Sequence, residues 1–277
     1  MLAIGNTNRL TVVKQLDFGF YLDGGVLGEI LLPNRYAPSG CSAGDALDVF
    51  IYYDSEDRLI ATTETPLAEV GQCAFMKVKD KGRFGVFLDW GLSKDLLVPF
   101  AEQRVPMEVG KSYVVYVFLD TTGRIAASSR LNRFLEEEDF ADFDTGQEVQ
   151  LLVASRSDLG VKAVIDGTHL GLIHKNDLFK PVHMGDCLTG YIKTIREDDD
   201  RIGLTLQPPG AKGRDALSEA ILRHLKENGG TSALTDKSPP DAIYKAFSVS
   251  KANYKKALGR LYKEKQITIA KDKIALV

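Results

Sequence analysis

The chain has 277 residues, 44% hydrophobic and 26% charged, the balance of a soluble globular protein with room for two or more domains. No run of about 18 apolar residues exists, so no membrane helix is expected, and the polar start "MLAIGNTNRL" lacks the apolar stretch of a signal peptide. The net charge of −3 hides an asymmetry: from Ala211 onward 14 Lys/Arg stand against seven Asp/Glu, a basic end of +7 on a body of −10.

Read in chain order, the first 210 residues repeat one phrase: "DFGFYLDGG" from Asp17, "GRFGVFLDW" from Gly82 and "SDLGVKAVIDG" from Ser157. Four landmarks recur in register. They are a glycine after a large residue (Gly19, Gly85, Gly160) and an apolar triplet ("ILLP" ending at Pro33, "LLVP" at Pro99, "GLIH" at His174). A glycine before an apolar strand follows (Gly44, Gly110, Gly185), then an arginine inside a closing strand (Arg58, Arg124, Arg201). Within each copy the apolar runs are short, β-branched and aromatic, with Gly/Asp/Pro between them, which predicts four or five strands. In about 65 residues that is a small closed barrel, and the OB-fold is the leading architecture. Between copies two and three, "LEEEDFADFD" (Glu136 to Asp144) reads as a solvated acidic linker.

After "LQPPGAKG" the texture changes. "RDALSEAILRHLKENGG" predicts a helix with Leu217, Ile221, Leu222 and Leu225 on one face, stopped by Gly229–Gly230. "SPPDAIYKAF" predicts a second, capped by Ser238. "SKANYKKALGRLYKEKQI" predicts a third, with Tyr254, Leu258, Leu261 and Tyr262 on its apolar side. Two short strands around "KDK" complete a winged-helix pattern. Lys251, Lys255, Lys256, Arg260 and Lys263 lie mostly off the apolar stripe, with Lys271 and Lys273 at the wing tip, a phosphate-facing surface. Asn253 and many lysines favour backbone contacts over base reading.

The order "xxFGxFxxL…GLIHxxxL…VGDxxxxYIxxI…DRIxLTL" resembles the S1 RNA-binding domain. Three degenerate S1-like modules and a small basic domain resemble the conserved virulence factor B family of bacterial RNA-binding proteins. The implied fold is three tandem all-β OB-fold (S1-like) barrels, residues 1–66, 67–134 and 145–209, and an α+β winged-helix domain, residues 213–277. The S1 pattern, carried across, implies a ligand face of two rings, a histidine and an acid–arginine pair. It falls on Phe18, Tyr21, Pro33, Asp54 and Arg58 in copy one, and on Phe84, Phe87, Pro99, Asp120 and Arg124 in copy two. In copy three it falls on Leu159, Lys162, His174, Glu197 and Arg201, so no copy has the complete set. OB barrels bind single strands by stacking bases on rings beside cations. The second ring position reads Tyr21, Phe87 and Lys162; a lysine is a poor core residue, so this position is expected to face solvent, at least in copy three, with Tyr21 and Phe87 serving base stacking or contacts between neighbouring modules.

Cys41, Cys73 and Cys187 are isolated, which argues against a disulfide framework or zinc site and fits a reducing cytoplasm. The four histidines, His169, His174, His183 and His224, show no ligand spacing, and GxxxxGK[ST], HExxH and GxSxG are absent. No cofactor, metal or enzyme activity is expected. The expected partner is single-stranded RNA, with post-transcriptional, virulence-related regulation implied by the family resemblance. The alternatives are a DNA-binding transcription regulator, or a scaffold that binds the ribosome or RNA-processing proteins such as a ribonuclease.

Overall fold

A computed structural model describes residues 2–135, 143–178, 181–196, 201–208 and 210–277; the side chains of Asn176, Arg196, Arg201 and residues 210–215 lie outside that description, as do most of the acidic linker and Glu197. The chain divides into two compact units, Met1–Phe134 and Leu135–Val277.

The first unit holds two copies of one sheet. Barrel 1 consists of β1 (Thr7–Leu16), β2 (Gly19–Asp23), β3 (Glu29–Pro33), β4 (Ala46–Tyr53) and β5 (Leu59–Thr62), closed in the order β1-β2-β3-β5-β4. Barrel 2 repeats it with β6 (Cys73–Lys81), β7 (Gly85–Asp89), β8 (Leu96–Pro99), β9 (Ser112–Leu119) and β10 (Ile125–Ser128). Its order is the same, β10-β9-β6-β7-β8, with β8 and β10 side by side but not joined by a hydrogen-bonded ladder. In the second unit, β11 (Glu148–Arg156), β12 (Gly160–Ile165), β13 (His169–His174), β14 (Cys187–Arg196) and β15 (Arg201–Thr205) close barrel 3 in the barrel 1 order.

Two of the repeated landmarks are backbone requirements. A Cβ on Gly19, Gly85 or Gly160 would lie 2.5, 2.1 or 2.0 Å from the carbonyl oxygen of Leu32, Val98 or Ile173 on the next strand. Only a residue without a side chain lets those strands pair so closely. Gly44, Gly110 and Gly185 have φ of 96°, 85° and 89° and donate from their N–H groups to the carbonyls of Val12, Val78 and Val153. At the same place each long first strand slips register, between Val12 and Lys14, Val78 and Asp80, Val153 and Ser155. This bulge bends the strand so that one half pairs with the second strand and the other half with the fourth, which closes the barrel.

Barrels 1 and 2 share part of their interior. The barrel 2 core of Val78, Val86, Leu88, Val98, Val115 and Val117 continues through Trp90 and Leu92 onto Phe50, Tyr52 and Ile60 of barrel 1. Trp90 meets Phe50 edge-on at 5.6 Å between ring centres, and its indole N–H donates to the Lys94 carbonyl at 2.5 Å. Lys94 in turn donates its ammonium to the carbonyls of Tyr53 (2.9 Å) and Asp54 (2.7 Å). The Tyr36 hydroxyl donates to Ser93 at 2.8 Å, and the Val70 N–H donates to the Gly5 carbonyl at 2.8 Å. The two barrels therefore form one packed body.

In the second unit, Leu151, Ile165, Ile173, Ile192, Ile202 and Leu204 fill barrel 3. Beyond it lie α1 (Gly210–Glu227), β16 (Thr231–Ser232), α2 (Pro240–Phe247), α3 (Lys251–Lys263), β17 (Ile267–Ile269) and β18 (Ile274–Leu276). Ile221, Leu225, Ile243, Tyr254, Leu258, Leu261, Ile267 and Ile274 form their common core. Three local expectations need correction. Ser238 does not cap α2, because its hydroxyl accepts from Thr235 N–H instead and Pro239 takes the cap position without a side-chain bond. Tyr262 is 57% exposed and leaves the apolar stripe. The wing is a three-stranded sheet, since β16 pairs with β18.

Candidate nucleic-acid interface

Alternation along the second strand of each barrel settles which way its side chains point. Leu22, Leu88 and Ala163 are fully buried, so Tyr21, Phe87 and Lys162, one residue before each, point outward and are half-buried. The expectation drawn from the lysine therefore describes all three copies. The first ring position sits in the turn before that strand, where Phe18, Phe84 and Leu159 are 56%, 71% and 55% exposed. The turn is held by the same bond each time: Asn34, Phe100 and Lys175 donate their N–H groups to the carbonyls of Phe18, Phe84 and Leu159 at 3.2, 3.2 and 3.0 Å.

In barrel 1 the predicted residues come together. Phe18 and Tyr21 meet edge to face at 6.3 Å, and the Lys14 ammonium lies 4.8 Å from the Tyr21 ring centre while paired with Glu29 at 2.5 Å. Arg58 is bound by Asp54 at 2.8 and 2.9 Å and by Glu56 at 2.9 Å. The Asp54 hydrogen bond is the chief reason its guanidinium is held above its ordinary pKa, with Tyr21 near enough to contribute. Burial acts to raise the Asp54 carboxyl, but the bonds it accepts from Arg58 and Glu56 outweigh that and hold it below the usual range. Arg58 and Arg124 each stand one residue before the closing strand rather than inside it.

Barrel 2 arranges the same residues differently. Asp120 accepts the Arg124 N–H at 3.0 Å, but the Arg124 guanidinium crosses to Asp57 of barrel 1 at 2.6 Å. Burial acts to raise the Asp120 carboxyl, yet bonds from Thr122 and Arg124 bring it below its ordinary value. Phe87 lines a cleft of about 240 Å³ together with Tyr53 and Asp57 of barrel 1 and Lys94 of its own barrel. Burial there holds the Lys94 ammonium below its ordinary pKa. Phe84 stands alone at the turn with Arg83 5.6 Å from its ring centre.

In barrel 3 the register pairs Lys162 with Leu172 and Gly160 with His174, so Lys162 and His174 share the outer face of β12 and β13. The side chain of Arg201 and the whole of Glu197 are outside the described residues, so copy three is placed only in part. Pro33 and Pro99 end their strands where His174 ends β13.

The winged-helix cations lie on α3 and the wing, exposed except for Lys251, which is half-buried. Lys255 approaches Asp236 at 3.9 Å, and Arg260 binds Glu264 at 2.7 Å. Ser250 caps α3 by accepting from Asn253 N–H at 3.2 Å. The Asn253 amide donates to Gln207, just past β15, so the residue best suited to read a base is already engaged. Sequence reading missed Lys14, Lys81, Arg83 and Phe100, cations and a ring grouped around the predicted positions. Aligning the residue after each "LLP"-type triplet (Asn34, Phe100, Lys175) would have exposed the last of them.

Among the described residues no group of His, Cys, Asp and Glu is arranged to hold a metal ion, and no helix is long and apolar enough to cross a membrane. The S1 domain family matches residues 4–64 and 70–130, and the CvfB-like winged helix domain matches residues 219–276. Along its length the chain is 31% identical to the uncharacterized protein YitL of Bacillus subtilis, over 95% of this chain and 90% of that one. The chain belongs to the conserved virulence factor B family. Conserved virulence factor B of Staphylococcus saprophyticus is 27% identical over 84% of this chain and 80% of its own. A solved multidomain protein with nucleic acid binding domains from Streptococcus pneumoniae is 24% identical, covers 99% of this chain and 98% of its own, and superposes with a TM-score of 0.44. S1 barrels and a winged helix are nucleic-acid-binding domains, and the family's architecture is of that type.

Proposed function

We propose that this chain is a non-catalytic, cytoplasmic protein that binds single-stranded RNA through its S1 barrels and basic winged helix. Its role would be post-transcriptional control of gene expression, including virulence-related genes as the name of its staphylococcal relatives suggests. The observation that carries this reading is the pair of exposed phenylalanines, Phe18 and Phe84, at one turn of two barrels, with Lys14 over the neighbouring Tyr21 in barrel 1 and Arg83 over Phe84 in barrel 2. An exposed ring in a strand-joining turn adds nothing to a core, while a stacked base gains about 1–3 kcal/mol. RNA is favoured over an operator because Asn253 is bound to Gln207 and the remaining α3 cations are lysines and one arginine, suited to phosphates. Weak sites on linked domains reach useful affinity through effective concentration.

The test is a salt titration of labelled single-stranded RNA, the matching single-stranded DNA and a duplex DNA, on the full chain and on a chain ending at Gly210. Tighter RNA binding that loses affinity and salt dependence on truncation supports the reading. A duplex preference overturns it in favour of a DNA regulator. Absence of binding overturns it in favour of a protein-binding scaffold.

A further inference from the structure

The rim of barrel 2 carries a group of side chains outside the S1 pattern. Phe100 follows β8 and is 46% exposed, and Lys81, at the end of β6, holds its ammonium 5.7 Å from the Phe100 ring centre. The Phe100 N–H is bonded to the Phe84 carbonyl, so the two rings leave adjoining chain segments, and Arg83 lies over Phe84. Among the described residues no carboxylate pairs with Lys81 or Arg83, whereas Lys14 in barrel 1 is held by Glu29 and Arg124 by Asp57. The backbone does not require a ring at position 100: barrels 1 and 3 make the same bond from Asn34 and Lys175.

Phe87, the second ring expected of the S1 face, is placed less openly. One edge of its ring lies 2.7 Å from where a Cβ on Gly82 would stand, and it lines the cleft that Tyr53 and Asp57 of barrel 1 and Lys94 of its own barrel also line. A strand of bases running along barrel 2 meets Phe84 and Phe100 in the open and Phe87 only at a wall.

We infer that barrel 2 binds single-stranded nucleic acid at this rim, stacking bases on Phe84 and Phe100 with Lys81 and Arg83 on the flanking phosphates, in place of Phe87 and Arg124. Rings that accept stacking and unpaired cations within reach of them are the two components a single-strand site needs. The inference rests on the functional reading above and names the surface that performs it in this barrel.

The experiment uses the full chain and a labelled oligouridine. Phe100→Ala is expected to weaken binding by a factor of about five to a hundred, Phe100→Trp to restore it, and Phe87→Ala to change it less than about twofold. The double variant Lys81→Gln/Arg83→Gln is expected to lower the slope of log affinity against log salt by about 1.4, at about 0.7 per phosphate contact on a single strand. An unchanged urea midpoint for Phe100→Ala separates lost binding from lost fold. If the unaltered chain binds oligouridine and Phe100→Ala binds it equally, or if Phe87→Ala is the variant that fails, the rim assignment is wrong while the functional reading stands. If the unaltered chain binds no single strand, the functional reading falls first and the rim with it.

Discussion

Arg58 of barrel 1 and Arg124 of barrel 2 stand at matching positions, four residues after a matching aspartate, and go to different partners. Arg58 closes onto its own Asp54, whereas Arg124 reaches Asp57 in the neighbouring barrel. The turn explains part of the difference. Its third residue must take a positive φ, which barrel 2 meets with Gly123 (φ 78°) and barrel 1 with Asp57 (φ 58°), one of the few residue types that tolerates it. Barrel 1 therefore carries a carboxylate where barrel 2 has none, and that carboxylate draws the second arginine away from the outer face. Repetition fixes where a side chain starts; the neighbouring module decides where it ends.

The shared interior offers the strongest way to break this picture. Phe50 belongs to barrel 1 but packs on Trp90 of barrel 2, the chain's one tryptophan. Phe50→Ala should cost about 3–5 kcal/mol, read as a lower urea midpoint of Trp90 fluorescence. An unchanged Trp90 midpoint would mean that the barrels fold independently and that their contact is incidental. Lys94 comes next. Lys94→Met keeps the stem but removes the ammonium from the carbonyls of Tyr53 and Asp54, the second of which keeps its bond from the Asp57 N–H, a cost of about 1–3 kcal/mol. A urea midpoint equal to that of the unaltered chain would show that water replaces the ammonium.

The barrel strands were legible in the sequence because two of the repeated glycines answer to the backbone and not to any ligand. A Cβ at Gly19, Gly85 or Gly160 meets a carbonyl, and Gly44, Gly110 and Gly185 occupy a positive φ at a bulge. The outward placement of Tyr21, Phe87 and Lys162 was legible for a related reason, since one lysine marks the face for all three copies. The fates of Arg124 and Phe87 were not. Both depend on Tyr53 and Asp57, which lie in the neighbouring copy, and a pattern carried across one module at a time does not say which residues of another copy make such contacts. Tyr262 was misplaced because Leu258 and Leu261 suggested that the stripe continued by one more residue, while the helix turns Tyr262 into line with Lys255 and Gly259 on the exposed side.

A smaller effect separates the two arginines. Both guanidinium groups are exposed, so Arg58→Ala and Arg124→Ala should each change stability little. Their effects on RNA affinity should differ, with Arg58→Ala weakening binding and Arg124→Ala leaving it nearly unchanged. Asp57→Gly keeps the turn and releases Arg124, so it should tighten binding by about two- to fivefold, the range of one exposed charge contact. Equal losses from the two arginine variants would show that Arg124 leaves Asp57 when RNA arrives. The Asp54 pair also predicts a pH response. Its carboxyl is held below the ordinary value of about 3.9, so its contribution is complete above that value and is lost as pH falls through the lowered one. Arg58→Ala removes only the side-chain part of that contribution, so it should lower the neutral plateau slightly and make the acid limb below about pH 4 shallower, while the bonds from the Arg58 and Glu56 N–H groups remain.

The smallest change tests the second unit. Gly259 lies inside α3 with open space where a Cβ would stand, between the turns that carry Lys255, Lys256, Tyr262 and Lys263. In an exposed helix interior alanine is favoured over glycine by about 0.5–1 kcal/mol, so Gly259→Ala should raise the urea midpoint. If this basic face lies against a nucleic-acid backbone, the added methyl group obstructs the approach and binding weakens while stability rises. Opposite signs in the two measurements cannot come from damage to the fold. A variant that is more stable and binds equally well places the contact elsewhere on the winged helix and leaves the lysines as an ordinary solvated face.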